Sequence, residues 1–416
     1  MKIVPEGLNF DSNKKNIKSF MFFSCSSCTF LYFYPILFCY FIALISFVKL
    51  PRSFNILFGI IISFVFSLLV ASRDSLTGIE KGGFGSDIIN YKNAFNSILE
   101  LEAFNLSDIL QISVNQTGSG EPLFWGLVYI LSLIVQNPDM LWFLITFIFL
   151  SIFSVYTASS RLYGSLQVLI ILCSTITFYI YFSSVIRQGV AFLIVYISVN
   201  EFYKGRLKRS YFLILLAALC HYSAIVIAIS LYFGNRLKGF HIGNTSKILT
   251  YGIVIFILGL VLLQITPYLP SDLNLAYKLQ ARLSNTAVQT SFWEIQFFSE
   301  IIIFFIIVKC FSISVPKKII ASLVVFCFLV VLCIPMAGIA DRLYRYTYVF
   351  YLFSYSHWLN ERDKSAVVQL IQPFIIILFF IWFCILFSTR YDQIFFEKDL
   401  GDILSTNLTE MSVFVF

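Results

Sequence analysis

The chain has 416 residues, of which 59% are hydrophobic and 12% charged, with a formal net charge of +7. A soluble domain carries about 25% charged residues, so a soluble enzyme is excluded; so is a β-barrel, which would read as ~10-residue alternating segments. The positive balance does not argue for nucleic acid, because in membrane proteins surplus Lys and Arg gathers on cytoplasmic links.

In chain order the apolar segments are 21–48, 54–71, 123–136, 139–159, 166–183, 188–203, 211–233, 248–268, 293–311, 318–338, 342–360 and 367–388. Most are long enough to cross a ~30 Å hydrocarbon core. They predict an all-α polytopic membrane protein with about 10–12 transmembrane helices. The first run is too long for the core of a signal peptide and lacks a small-residue cleavage pattern, so it reads as a retained helix. Segment 123–136 is short for a full span. Segment 211–233 is interrupted at its centre by His221 and Tyr222, and an ionisable side chain at that depth is a functional candidate. Residues 1–416 read as a single integral membrane domain, with 72–122 as an external polar loop.

Five basic links orient the chain: Lys49 with Arg52; Lys204, Arg206, Lys208 and Arg209; Arg236, Lys238 and Lys247; Lys309, Lys317 and Lys318; and Arg362 with Lys364. All lie on the cytoplasmic side only if 123–136 and 211–233 each enter and leave by one face. The first is then a surface or re-entrant helix and the second a pair of half-helices. The loops left outside are 72–138, the Arg187 turn, 269–292 and the Asp341 turn. We prefer this arrangement. A rival crosses at all twelve segments with both ends inside; it satisfies Lys2, Lys14, Lys15 and Lys18 but exports three of the basic links.

The polar loop holds "GFGSDIINYKNAF", Gly83 to Phe95. Glycine neighbours give Asp87 freedom to approach a ligand, and Tyr91, four residues on, shares its face of a short helix. A carboxylate there can serve as general base toward a sugar hydroxyl; equally, Ser86 and Asp87 suit a helix cap. Arg187 opens a segment in "YFSSVIRQGVAF", where it either binds an anion or snorkels to the interface. Arg342 and Arg345, in "ADRLYRYTYVFY", are three apart and expected on one helix face. Three arginines on an external face suggest an anion, since guanidinium forks suit phosphate; ion pairs with Asp341 or Asp87 are the plain alternative. His221 is either a neutral buried histidine bonded to backbone or, at the apex of half-helices, a base or phosphate ligand. Its rival as base is Asp87, which we favour because an external loop reaches an incoming hydroxyl more easily. The CxxC of Cys25 and Cys28 has no downstream partners and reads as packing. No P-loop, dinucleotide fingerprint or zinc spacing occurs, so neither a cofactor nor a metal is expected.

The order and spacing of these motifs resemble the EpsG-like family of bacterial membrane proteins, grouped with the Wzy-type polysaccharide polymerases. The resemblance rests on "SRDSLTGIEKGGFGSDIINYKNAF", "GEPLFWGLVYILSLI", "SSVIRQGVAF…LAALCHYSAIV" and "ADRLYRYTYVFY". It covers roughly residues 55 to 360. The family pattern maps onto Arg73, Asp87, Tyr91, Glu121, Arg187 and His221. It implies a glycosyltransferase that joins oligosaccharide repeat units carried on undecaprenyl pyrophosphate, at the outer face of the cytoplasmic membrane. Asp87 or His221 would then act as base, and Arg73, Tyr91, Glu121, Arg187, Arg342 and Arg345 would bind substrate. The implied partners are the lipid-linked oligosaccharide, the bilayer and a chain-length regulator, with no nucleic acid. A distant likeness to GT-C glycosyltransferases goes with it. The alternatives are an O-antigen ligase, with the same donor and another acceptor, and a flippase for the same lipid-linked sugar. The Lys-bearing N-terminal extension departs from the family's usual short start.

Overall fold

The computed structural model describes residues 28–47, 51–72, 86–101, 104–160, 164–183, 185–237, 316–333, 337–360, 366–394 and 400–413. Arg73, the expected segments 248–268 and 293–311, and the loop 269–292 lie outside them. Every described element is helical, and the chain is an all-α polytopic membrane protein. The elements begin with α1 (Pro35–Ile45) and α2 (Arg52–Ala71). The polar loop contains α3 (Ser86–Leu99) and α4 (Leu106–Thr117). Then come the short α5 (Pro122–Ser132), α6 (Pro138–Ser159), α7 (Ser165–Cys173), α8 (Ile176–Ser183) and α9 (Ile186–Tyr203). After α10 (Leu207–Cys220) a 3₁₀ turn (Tyr222–Ala224) leads into α11 (Ile225–Leu237). The remainder is α12 (Lys317–Leu332), α13 (Ala337–Tyr344), α14 (Thr347–Asn360), α15 (Ala366–Ile394), α16 (Leu400–Ser405) and α17 (Leu408–Val413).

Helices α2 and α6 are each long and apolar enough to cross a membrane alone. They pack side by side at Gly59, where an added Cβ would fall 1.7 Å from the Ser154 hydroxyl. Small residues at such a crossing let backbones approach. Ser63 and Ser67 of α2 return their hydroxyls to the carbonyls of Gly59 and Ser63, so neither is stranded in an apolar helix.

The expected single segment 166–183 is two helices, α7 and α8, bent by 76° at Ser174–Thr175. Ser174 donates to the Ile170 carbonyl and bonds the Tyr40 hydroxyl at 2.6 Å. Thr175 donates to the Leu172 carbonyl at 2.8 Å. Side-chain hydroxyls thus occupy backbone acceptors at the break, which is how a buried helix tolerates one.

Helix α9 is the axis of the assembly. It is buried on nearly every face from Ile186 to Phe202, as a helix inside a bundle must be. At its end Gly205 adopts φ +79, closed to most other residues, and turns the chain back into α10. Helix α10 then climbs about 21 Å over 14 residues and stops at His221, which is extended at φ −159. The interruption expected in 211–233 is therefore present. Lys318 on α12 donates to the carbonyls of Phe202 (3.0 Å) and Tyr203 (2.7 Å) at the end of α9. One turn further along α12, Ser322 lies against Gly234 of α11. The end of α11 has thus come back to where α10 began, and the two form a hairpin with His221 at its tip.

That hairpin depends on Gly234. A Cβ there would sit 2.0 Å from the Ser322 hydroxyl and 2.7 Å from its backbone N and Cα. Because backbone cannot swing aside, Gly234→Ala is expected to cost about 1–3 kcal/mol by overpacking. A lower melting midpoint of the purified protein in detergent checks this; an unchanged midpoint would contradict the close approach.

Candidate functional site

The α9–α10 turn places the start of α9 and the tip of the hairpin at one end of the molecule. Arg187, the second residue of α9, is 6% exposed, and His221 is 5% exposed. A third element reaches the same point. Asn105 caps α4 through Ser107 N (3.0 Å), and Gly118 ends that helix at φ +71. The chain then turns through Ser119 and Gly120 into Glu121-Pro122. Pro122 suits the first turn of α5, since it has no N–H to leave unpaired, and it holds Glu121 extended at ψ 115. The Glu121 side chain does not cap α5. It turns inward to Arg187 and His221.

The resulting cluster is buried and closely knit. Arg187 Nη1 donates to Glu121 Oε2, and Nε donates to the Tyr91 hydroxyl from α3. The guanidinium also lies 5.0 Å from the Tyr91 ring centre. That ring stacks on Trp125 at 5.8 Å and meets Trp142 edge-on at 5.6 Å. Ser119 donates to Glu121 Oε2 at 3.0 Å. His221 Nδ1 faces Glu121 Oε1 at 3.3 Å. An ionised carboxylate only accepts, so Nδ1 carries the proton in this contact, and Nε2 of the neutral ring is an acceptor. Nε2 is buried and has no partner among the described residues. Tyr222 closes the tip by donating to the Gly120 carbonyl at 2.9 Å.

Burial pushes the Glu121 carboxyl up, but the His221 hydrogen bond and the Arg187 charge outweigh it and hold the group below the usual carboxylate range. Its contribution to stability is therefore present at neutral pH and is lost as the pH falls through the depressed value. Removing one partner of a buried pair strands the other charge. Glu121→Ala is accordingly expected to destabilise the protein by about 3–5 kcal/mol, with Glu121→Gln milder. Thermal melts of both variants measure the difference.

Of the residues expected at a site, Tyr91, Glu121, Arg187 and His221 are thus brought together across 130 residues of chain. Asp87 is the second residue of α3, one turn before Tyr91; its side chain and the whole of Arg73 lie outside the described residues. Arg342 is exposed, and its carbonyl accepts from Gln188 Nε2, which seats α13 beside the start of α9. The shared helix face expected for Arg342 and Arg345 is corrected. Helix α13 ends at Tyr344, and the chain turns there, Tyr346 N bonding the Leu343 carbonyl. Arg345 is left buried at 5% exposure, while Arg342 faces outward. Gln188 and Ser119 are not marked as site residues by the sequence; the cue there is that Gln188 follows Arg187 and that Ser119 stands two residues before Glu121. Among the described residues no group of His, Cys, Asp and Glu is arranged to hold a metal ion.

At the opposite end of α9, Glu201 is 1% exposed and gathers three cations from the basic link that follows it. It pairs with Lys204 (3.5 Å), Arg206 (3.1 Å) and Arg209 (3.6 Å), and Tyr156 donates to it at 2.6 Å.

The model of the EpsG family matches residues 75–396, well over half the chain. The chain is 28% identical over 351 residues to a protein of Ralstonia nicotianae (strain ATCC BAA-1114 / GMI1000), covering 82% of each. It is 27% identical over 317 residues to one of Ralstonia solanacearum, covering 74% of each. Both relatives are named "EPS I polysaccharide export inner membrane protein EpsF". No solved structure matches.

Proposed function

The chain belongs to the EpsG family, and on that premise we propose that it polymerises lipid-linked sugar repeat units in the cytoplasmic membrane. The substrates are oligosaccharides on undecaprenyl pyrophosphate, and the reaction takes place at the outer face. The observation that carries this reading is the buried Arg187–Glu121–His221–Tyr91 cluster. A guanidinium beside an oriented imidazole can serve glycosyl transfer from a pyrophosphate. The acceptor hydroxyl attacks the anomeric carbon, a new C–O bond forms, and the bond to the pyrophosphate breaks with its electron pair. Arg187 stabilises the negative charge growing on the leaving group, and the hydroxyl proton passes to a base. We assign that step to His221 Nε2, which has no partner among the described residues, with Asp87 on α3 its rival. Arg73, Tyr91, Arg342 and Arg345 complete the proposed substrate set, and Glu121 holds Arg187 and His221 in place.

The ends of α9 support the outer face. Lys204, Arg206, Lys208 and Arg209 lie at one end and Arg187 at the other, about 27 Å away over 18 residues. Basic links stay inside, which leaves the cluster outside. A cysteine at Ser119 is expected to label from outside the cell, and one at Lys208 only after permeabilisation, in a background without native thiols. The reverse pattern would sink the orientation.

A second reading has one observation behind it: the relatives' names say export. Gel analysis of surface polysaccharide in a deletion strain separates the two. A polymerase deletion leaves single repeat units exposed at the surface, whereas loss of a translocator leaves none. Polymer formation by the purified protein from lipid-linked units is the direct test.

A further inference from the structure

We propose that Glu121 is a shared carboxylate that links binding of the pyrophosphate to removal of the acceptor's proton. The inference rests on the reading of Arg187 as the pyrophosphate ligand.

The geometry supplies the link. Glu121 Oε2 accepts from Arg187, and Oε1 faces His221 Nδ1 at 3.3 Å. The carboxylate is 1% exposed, so it cannot turn to water instead. Its one negative charge therefore serves two partners, a fixed cation and an imidazole whose charge is variable. While Arg187 neutralises the carboxylate, little attraction remains for a proton on His221. A diphosphate that draws the guanidinium toward itself takes that cation away. The carboxylate's charge then acts on His221 alone and makes Nε2 a stronger proton acceptor. The base gains strength when a leaving group is seated and not before.

The other groups around the imidazole do not provide this. Among the described residues the charges acting on it are Glu121 ahead of α5, Arg187 on α9 and Arg342 on α13. Tyr91 on α3 is bonded to Arg187. Cys220, Tyr222 and Tyr346 are close enough to feel Glu121. Glu121 contacts both Arg187 and His221, one through each carboxylate oxygen. It is thus a positioning residue, acting through His221 and not on the sugar.

The test reads the protonation of His221 itself. Hydrogen–deuterium exchange at imidazole C2, followed by mass spectrometry of the full-length protein in detergent, resolves each of its three histidines. Without ligand, Arg187→Gln is expected to raise the His221 midpoint and Glu121→Gln to lower it, each by about one pH unit or more. Inorganic pyrophosphate is expected to raise the wild-type midpoint, and most of that rise should be absent in Glu121→Gln. An Arg187→Gln midpoint equal to wild type would overturn the coupling itself. So would an equal rise in Glu121→Gln, which would mean that the anion attracts the proton directly. A ligand-free response as expected, with no effect of pyrophosphate on wild type, would instead remove phosphate from Arg187 and overturn the inference through the reading beneath it. The pyrophosphate titrations of wild type and Glu121→Gln do not require Arg187→Gln, so the coupling stays testable even if that variant misfolds.

Discussion

Arg187→Ala is expected to abolish polymer formation, lowering the rate by at least about 10²–10³-fold, the range for removing one preorganised donor to a developing anion. The substitution has a second consequence. It strands Glu121, whose side chain is 1% exposed and whose charge Arg187 balances. Breaking a buried pair costs about 3–5 kcal/mol, so loss of activity alone would not separate chemistry from folding. Two further variants do. Arg187→Ala with Glu121→Gln removes both charges and should recover much of the lost melting temperature, yet stay inactive. Arg187→Lys keeps a cation for Glu121 but offers a point charge in place of a fork. It also loses the Nε contact with Tyr91. It should fold nearly as well as wild type and turn over slowly. Wild-type chain lengths in Arg187→Ala would take this residue out of the site.

What the sequence disclosed follows from which forces are local. Membrane class and the short segment before Asn137 are set by apolar run length, which can be read without a structure. The break at His221 was legible too, because an ionisable residue in the middle of an apolar run is costly wherever it sits. The bend at Ser174–Thr175 was not legible: no Pro or Gly marks it, and Ser and Thr inside an apolar run more often bond their own helix. Tyr40, which bonds Ser174, is far away in sequence. Single residues of the site stood out by type, since Glu121 and Arg187 are charged residues at the ends of apolar segments and His221 interrupts one. Their pairing did not. Glu121 meets Arg187 across 66 positions and His221 across 100, and it takes the α9–α10 turn together with the turn from α4 into α5 to make them neighbours. The same holds for Arg342 and Arg345. Spacing alone puts them on one face, but that rule requires the helix to continue, and α13 stops at Tyr344.

The proton acceptor gives the other large expected effect, and two substitutions decide it. His221→Asn keeps an amide near the position of Nδ1, so the contact with Glu121 and the hairpin tip can persist. The basic Nε2 is gone. If His221 is the base, polymerisation of purified lipid-linked units should fall by about 10²–10⁴-fold while the protein still folds and binds donor. Asp87→Asn is the matched control. Asp87 lies in the first turn of α3, where losing a negative charge costs only about 0.3–1 kcal/mol through the helix dipole. If Asp87 merely starts that helix, its Asn variant should polymerise at close to the normal rate. The reverse result, an active His221→Asn and an inactive Asp87→Asn, would move general-base catalysis to α3 and leave His221 a structural partner of Glu121. We expect the first pattern, because His221 is held by a carboxylate on one nitrogen and leaves the other, among the described residues, without a partner. A neutral imidazole so oriented is already in the tautomer that accepts a proton at Nε2, and reaction then requires no reorientation of the base.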